Sequence, residues 1–322
     1  MLYKKKLAIL SALVVVLALV YILSFVLDPA NRRSEAFAWL DPSLVDKADR
    51  IEIKGTAGSV VLIRRNNIWL SPAGTSEYPV KQSMVGDFIN VLTRRSIYPL
   101  RAVSSEGRDK LGLGADSASR IIVRGGAGLP LLDLMVGASD ALGSGVYLKR
   151  ADKDEIYSGE DQFTLYTESK PASWYDLRLF PSGNKAAEFS IADVQQAELA
   201  VPENTFTLRR GNGGWIMVQN GSAALDAIKV EAWLRSVSEA EGNDFAPQAP
   251  PAADPASSGG TITLWLGDGT KRILQIGPGM SPDDGRRYAV VSNSSLTYVL
   301  SESTVRSLLG LALFDNENAK KL

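Results

Sequence analysis

The sequence contains neither cysteine nor histidine among its 322 residues. Without cysteine there is no disulfide, no thiolate nucleophile and no iron–sulfur cluster. Without histidine the chain lacks the usual general base near neutral pH and the commonest zinc ligand, so a Ser-His-Asp triad is excluded. Neither sign of charge dominates, since 35 basic and 36 acidic side chains give a net charge of -1. A nucleic-acid-binding protein needs a surplus of Lys and Arg, so no nucleic-acid partner is expected.

One long apolar run lies near the N-terminus. Residues 7–27 carry no charge, and a helix of about 21 residues is about 30 Å long, the thickness of a bilayer core. Lysines at positions 4–6 precede the run, which favours a cytoplasmic N-terminus. The run is longer than the apolar core of a cleaved signal peptide. We therefore expect a single-pass inner-membrane protein that contacts the bilayer through 7–27, with its C-terminal part in the periplasm or another extracytoplasmic space.

An internal repeat is the strongest pattern in the sequence. The segments VVLIRRNNIWL (60–70) and FTLRRGNGGWIM (206–217) each predict a strand, a tight turn and a second strand. Aligning them matches the doublet Arg64-Arg65 with Arg209-Arg210, and Trp69 with Trp215.

A helix follows each hairpin, at 84–96 and 229–241, with apolar residues at the i, i+3, i+4 and i+7 positions of one face. These residues are Val85, Phe88, Ile89 and Leu92 in the first copy, and Val230, Trp233, Leu234 and Val237 in the second. Two further hairpins and a short helix then recur, at 119–137, 145–159 and 160–167 in the first copy, and at 260–277, 287–301 and 302–314 in the second.

Each copy is thus predicted to be a β-β-α-β-β-β-β-α unit with mainly antiparallel strands, which defines the α+β class. The predicted organisation is a cytoplasmic N-terminus at 1–6, a transmembrane helix at 7–27, a linker at 28–47, a first repeat domain at 48–167, a connector at 168–186, a second repeat domain at 187–314 with a mobile loop at 246–260, and a tail at 315–322.

The arginine doublets and the matched tryptophans are the candidate site residues. The set is Arg64, Arg65, Trp69, Arg209, Arg210 and Trp215. Alternation along a strand sends one arginine of each doublet to each face of the sheet. The inward arginine can stack on a tryptophan, which is a structural role, and the outward one can bind an anionic glycan or a partner.

Other chemical motifs are weak. Ser182-x-x-Lys185 has the spacing of a serine–lysine pair but lies in a polar connector. Acidic residues at 152, 154 and 155, and at 283 and 284, fit turns better than a calcium loop. Glycines at 112–114, 125–128 and 277–279 lack the strand and helix context of a phosphate loop. We therefore expect no catalytic residue, no metal and no cofactor.

The paired units, the strand–turn–Trp hairpin, the amphipathic helix and the connector WYDLRLFP (174–181) together resemble the bacterial DUF4340 family of unknown function. The resemblance implies a membrane-anchored tandem-repeat protein, encoded beside ABC-type transport components of the gliding-motility kind. It implies inner-membrane ABC transporter components as partners, and it carries over no active-site residue.

The leading hypothesis is a non-enzymatic, membrane-anchored scaffold or accessory subunit of an ABC-type envelope transport system. Partner contact would use sheet edges or the groove between the repeats. The alternative is a glycan- or lipid-binding module in which Trp69, Tyr147, Trp215 and Tyr288 line a cleft. The third is a hydrolase that uses acidic residues only, which requires two carboxylates facing each other.

Overall fold

A computed structural model describes residues 14–21 and 35–310, except 105, 141, 142, 144, 183, 186, 203, 219–221, 247–258, 282 and 283. The predicted N-terminus at 1–6, the tail at 315–322 and most of the predicted loop at 246–260 lie outside the described residues. Contacts divide the chain into two compact units. The first consists of Met1–Ser71 and Lys81–Trp174, and the second of Pro72–Val80 and Tyr175–Leu322.

The first sheet has nine strands in the order β4-β3-β2-β1-β6-β7-β8-β9-β5, with antiparallel pairing along the chain. Its strands are β1 (Ala48–Gly55), β2 (Gly58–Arg65), β3 (Ile68–Ala73), β4 (Ser76–Pro79), β5 (Leu100–Ala102), β6 (Ser119–Gly125), β7 (Pro130–Ser139), β8 (Gly145–Arg150) and β9 (Ile156–Glu160). Two helices accompany these strands, α1 (Gln82–Thr93) and α2 (Gln162–Thr167).

The second sheet repeats this order, as β13-β12-β11-β10-β15-β16-β17-β18-β14. Its strands are β10 (Val194–Val201), β11 (Asn204–Gly211), β12 (Gly214–Val218), β13 (Ser222–Ala224), β14 (Asp244–Phe245), β15 (Gly260–Leu266), β16 (Lys271–Ser281), β17 (Asp284–Val291) and β18 (Thr297–Leu300). Its helices are α3 (Ala227–Ser238) and α4 (Glu302–Leu309).

These strands correct the predicted fold class. The chain is mostly antiparallel β-sheet with a few short helices, so the α+β class with a β-β-α-β-β-β-β-α unit was wrong. The predicted unit left out β1 and β10, although both alternate inward apolar and outward polar residues as a strand does. It also missed the terminal strands β4, β5, β13 and β14, which have two to four residues each and are too short to show alternation.

The expected membrane helix is also corrected. Residues 14–21 are helical, and at 1.5 Å per residue they cover about 12 Å of the roughly 30 Å core of a bilayer. In the part of the chain that the structure describes, no helix is long and apolar enough to cross a membrane. The transmembrane helix at 7–27, and with it the single-pass membrane protein, is not found. Residues 7–13 and 22–27 of that segment lie outside the described residues.

The apolar helix faces form as the sequence predicts. Val85, Phe88 and Leu92 of α1 are buried, while Ile89 is half-buried. The matching residues of α3, Val230, Trp233, Leu234 and Val237, are all buried. Each helix therefore covers the core of its own unit with one side.

Part of the predicted linker at 28–47 belongs to the core of the first unit. Trp39 and Leu40 are both 1% exposed. Phe37, Trp39, Tyr98 and Tyr157 form an aromatic cluster in which ring centroids lie 5.0–5.7 Å apart. The Leu40 amide donates to the carbonyl of Leu92, at 2.9 Å. The described part of this segment is therefore packed against the sheet and α1.

Candidate functional site

Strand pairing shows how the arginine doublets correspond. Arg64 pairs with Trp69 across β2 and β3, and Arg210 pairs with Trp215 across β11 and β12. The structural equivalent of Arg64 is therefore Arg210, one position later than in the doublet alignment of the sequence. Arg209 is equivalent to Ile63 instead. Arg209 pairs with Gln196 of β10 and Ile63 pairs with Arg50 of β1, and Gln196 and Arg50 occupy equivalent positions of their strands.

Both matched arginines have structural contacts. The guanidinium carbon of Arg64 lies 5.7 Å from the ring centroid of Trp69, and that of Arg210 lies 5.0 Å from the centroid of Trp215. Each guanidinium also donates to a carbonyl in the turn before the first strand of its unit, that of Asp46 or of Ile191. These contacts fasten each hairpin to a turn, which is the stacking role that the sequence allowed.

The two matched tryptophans are buried in the structure. Trp69 is 7% exposed and Trp215 is 2% exposed, and they belong to different units. Tyr147 and Tyr288 are half-buried. The buried rings of Trp69 and Trp215 offer little surface to a ligand, so the aromatic cleft of the alternative hypothesis stays a prediction without support from these two tryptophans. Arg65, the last residue of β2, and Arg209, within β11, are both exposed.

The weaker motifs fall in turns and strands. Ser182 and Lys185 lie in an irregular segment, where the Ser182 hydroxyl accepts a hydrogen bond from Arg178 at 3.0 Å. Asp152 lies in the turn between β8 and β9 and pairs with Arg150. Gly128 is in a hairpin turn with φ of 78°, and Gly277 and Gly279 are within β16. Asp283 and the side chain of Asp284 lie outside the described residues.

A polar cavity of about 750 Å³ lies in the second unit. Its lining includes five carboxylates, those of Glu188, Asp193, Glu239, Glu241 and Asp268. It also includes the three cations Arg178, Lys185 and Arg272. Carboxylates therefore exceed cations by two, and hydroxyls of Ser182, Ser190 and Ser238 add further hydrogen-bonding groups.

One wall of the cavity comes from a segment that is longer in the second unit than in the first. In the first unit a β-bridge joins Phe37 to Ser96, three residues after α1 ends, and β1 begins 11 residues after Phe37. In the second unit the bridge joins Arg178 to Glu241, three residues after α3 ends, and β10 begins 16 residues after Arg178. The difference is five residues. This longer segment supplies the cavity residues between positions 180 and 190.

Arg178 fixes the start of the longer segment. Its Nε and Nη2 donate to the two carboxylate oxygens of Asp176, at 2.8 and 2.5 Å, and its Nη1 donates to the Ser182 hydroxyl. The hydrogen bond to Asp176 raises the pKa of Arg178 further. Two-pronged pairs of this kind hold both groups in one plane. Arg178 is therefore oriented by Asp176 before any ligand arrives.

Arg272 fixes the other end of the segment. It is 7% exposed, and its Nε donates to the carbonyls of Ala187 and Glu188, at 3.2 and 3.1 Å. Its Nη2 donates to the carbonyl of Lys185 at 3.0 Å. Its Nη1 donates to the carbonyl of Lys271 and the hydroxyl of Thr270. A buried guanidinium thus fastens the segment to β16 through backbone acceptors.

The first unit has an aliphatic residue at the matching position. Arg272 pairs with Leu264, and Leu132 pairs with Val123. Leu264 and Val123 in turn pair with the equivalent residues Ala197 and Ile51 of β10 and β1. Leu132 is 1% exposed, so the same inward position holds a leucine in one unit and an arginine in the other.

An aromatic pair and a fixed carboxylate complete the wall. Phe180 and Phe189 meet edge to face, with ring centroids 5.2 Å apart. The hydroxyl and amide of Thr270 donate to Asp268, at 2.7 and 2.8 Å, and lower the pKa of Asp268. Phe180 is buried and Phe189 is half-buried, so the cavity offers part of the Phe189 ring beside carboxylate acceptors.

Sequence reasoning missed this cavity, although two signals were present. An arginine stands at an inward position of a strand whose counterpart in the first copy is leucine, and the segment before β10 is longer than the segment before β1. The sequence predicted a partner surface at the arginine doublets instead, because a repeated doublet is a more conspicuous pattern than a single arginine.

The fold and the site define a protein with two similar antiparallel β units, of which the second carries a polar cavity. Residues 72–260 match the family model described as Domain of unknown function (DUF4340). The match covers more than half of the chain, so the chain belongs to the DUF4340 family, as the resemblance indicated. The link to gliding-motility ABC transport stays a prediction. A search of curated proteins finds no match.

Proposed function

We propose that this chain is a non-enzymatic binding protein whose second unit holds a ligand or a partner segment in the polar cavity. The observation that carries the proposal is the longer segment, which is fastened by Arg178 at one end and Arg272 at the other. Ligand sites are usually concave and largely pre-formed, and hydrogen bonds from two arginines hold this recess in place.

The chemistry of the side chains supports binding rather than catalysis. The sequence offers no histidine or cysteine as base or nucleophile. A hydrolase with acidic residues alone needs a carboxyl whose pKa is raised, so that it can donate a proton. Hydrogen bonds and neighbouring charges instead lower the pKa of Asp41, Glu52, Asp152 and Asp268. These lowered values favour ionised acceptors.

A glycan is the small ligand that the cavity fits best. Sugar hydroxyls donate to carboxylates, and the apolar faces of sugar rings pack on aromatic side chains. Both features are present, in the half-buried ring of Phe189 on one wall and in Glu239, Glu241 and Asp268 around the recess. We therefore propose the second-unit cavity, and not the tryptophans, as the site at which a glycan would bind.

We propose further that the chain serves as an accessory subunit of an ABC-type envelope transport system. This proposal is supported by the resemblance that links the family to ABC transport components. Strand addition at a sheet edge is not the mode of contact that we expect, because the terminal strands have only two to four residues. The cavity is the more suitable contact site.

The experiment compares two carboxylate variants. Glu239→Gln with Glu241→Gln alters the cavity, while Glu231→Gln alters an exposed position of α3 and serves as the matched control. Saturation-transfer NMR with a panel of neutral oligosaccharides tests glycan binding by the purified full chain. Binding by the wild type and the control, and at least a tenfold loss in the cavity variant, would support the glycan ligand. Equal binding by all three would exclude the cavity.

The accessory role is tested by cross-linking the tagged full chain in its native cells and identifying the captured proteins by mass spectrometry. Enrichment of an ABC permease or ATPase subunit by the wild type and Glu231→Gln, with loss in the cavity variant, is the expected result. Absence of every ABC component from the wild-type sample would refute the accessory role.

A further inference from the structure

We propose that Arg272 is the positioning residue of the second-unit cavity, which it shapes by holding the backbone at Lys185, Ala187 and Glu188 against β16. Only the description of the cavity as a binding site rests on the proposed function. The hydrogen bonds of Arg272 stand on the geometry alone. Three of its acceptors are the carbonyls of Lys185, Ala187 and Glu188, at 3.0–3.2 Å.

A buried guanidinium is costly to place. Removing a charged group from water is unfavourable unless hydrogen bonds replace the lost hydration. Among the described residues, the hydrogen bonds of Arg272 go to neutral oxygens, four of them backbone carbonyls, at distances up to 3.3 Å. The charge of Arg272 also interacts with the carboxylate of Asp268. Three of the five hydrogen bonds that replace hydration come from the segment that Arg272 holds.

The repeat supplies the comparison. Leu132 fills the equivalent inward position of the first sheet. The first sheet therefore folds with an aliphatic residue at this position. The arginine is not needed to build the strand pair. What differs around it is the segment of five more residues, whose carbonyls it contacts. Arg272 and the longer segment therefore occur together in the second unit, and each supplies the hydrogen-bonding partners of the other.

The position of the held segment determines which groups line the cavity. Lys185 and Glu188 come from it, Phe189 follows it directly in the chain, and all three reach the lining. The amides of Ala187 and Glu188 donate to the Asn184 carbonyl, at 2.9 and 2.7 Å, so the segment forms a tight turn under the guanidinium. Loss of Arg272 would release this turn and move these lining groups, while β10 and β11 stay paired.

Hydrogen-exchange mass spectrometry of the full chain tests the proposal. Arg272→Leu installs the residue of the first unit and should raise the exchange rate of the amides of Ala187 and Glu188 at least about tenfold, without changing that of β10. Arg272→Lys keeps the charge but has donors on one nitrogen only, so it should restore part of the protection. A purely global loss of stability would instead raise exchange throughout the second unit, and Arg272→Lys would not restore protection at 184–190 alone.

The matched control is Arg150→Leu. Arg150 donates to the Trp39 carbonyl at 3.2 Å, and so holds the corresponding segment of the first unit. This change should loosen the residues around Trp39 and leave 184–190 protected. Unchanged exchange at 184–190 in folded Arg272→Leu protein, or equal exchange there in the Arg272→Leu and Arg272→Lys proteins, would overturn the positioning role.

Binding measurements separate this proposal from the proposed function. Loss of oligosaccharide or ABC-subunit binding in Arg272→Leu, but not in Arg150→Leu, supports both proposals. Faster exchange at 184–190 in a protein whose wild type binds no probe supports Arg272 and refutes the binding role tested. Binding that persists with unchanged exchange refutes Arg272 and leaves the binding role standing.

Discussion

Arg210 stacks on Trp215, with its guanidinium carbon 5.0 Å from the ring centroid, while its Nη2 donates to the Ile191 carbonyl at 3.1 Å. One side chain thus joins the β11–β12 hairpin to the turn before β10. Arg64 makes the equivalent contacts with Trp69 and Asp46 in the first unit. The recurrence of this arrangement in both units argues for a role in folding.

Arg210→Ala is therefore expected to lower the free energy of unfolding by about 1–3 kcal/mol, because it removes a partly buried cation–π contact and a hydrogen bond. Arg209→Ala is the control, since Arg209 is exposed and its loss should change stability by less than about 0.5 kcal/mol. Urea denaturation monitored by fluorescence measures both. Equal effects of the two changes would contradict the structural role of Arg210.

Gly86→Ala should stabilise the protein. Gly86 lies inside α1, and a methyl group added there meets no atom within 4 Å. Alanine favours the helix over glycine by about 0.5–1 kcal/mol. Gly112→Ala should do the opposite, because Gly112 has φ of 68° and the added carbon would lie 2.6 Å from the Ala138 amide nitrogen. Thermal denaturation of both variants checks the two signs.

Glu52 should contribute stability that depends on pH. The hydrogen bond from Arg50, aided by the charges of Arg50 and Arg124, lowers the pKa of Glu52 in the folded chain. A lowered folded-state pKa gives stability above the ordinary carboxyl pKa of about 4.3, and that stability disappears as the pH falls through the folded-state value.

Glu52→Gln should therefore cost about 1 kcal/mol at pH 7, and the difference from wild type should shrink as the pH falls below about 4.3 and vanish below the folded-state pKa of Glu52. Denaturant titrations at several pH values measure the difference. Glu231→Gln, at an exposed position of α3, is the comparison. A gap between wild type and Glu52→Gln that widens toward acid pH would show that the sign is wrong.

Trp233→Phe should weaken the attachment of α4. The indole Nε1 of Trp233 donates to the buried Leu308 carbonyl at 2.8 Å, and phenylalanine cannot replace that donor. The expected cost is about 1–3 kcal/mol. Trp265→Phe is the control, because Trp265 is half-buried and stacks on Lys271 at 5.3 Å, so its change should cost less than about 1 kcal/mol. Chemical denaturation of the two variants gives the comparison.

Local patterns in the sequence predicted local structure well. Asn66 and Asn67 form the expected tight turn, with φ of 49° and 64°. The inward positions of both main helices follow from their 3.6-residue period. Predictions at this level succeed because neighbouring residues decide the outcome.

The fold class and the cavity were beyond these patterns. Strands of two to four residues show no periodicity, so the sheets appeared smaller in sequence than they are. The cavity depends on contacts between Arg272 and carbonyls 84–87 positions earlier in the chain. The identity of an arginine does not reveal which distant backbone will accept its hydrogen bonds, and an alignment of doublets by residue type gave a register one position away from the pairing.

The short terminal strands have a consequence for the behaviour of this protein at high concentration. Long, flat edge strands present unpaired backbone groups that recruit other chains and begin aggregation. Here β4, β5, β13 and β14 offer two to four residues each. A sheet of nine strands thus provides little template for edge-to-edge polymerisation, and a protein so rich in β-structure gains protection from fibril formation.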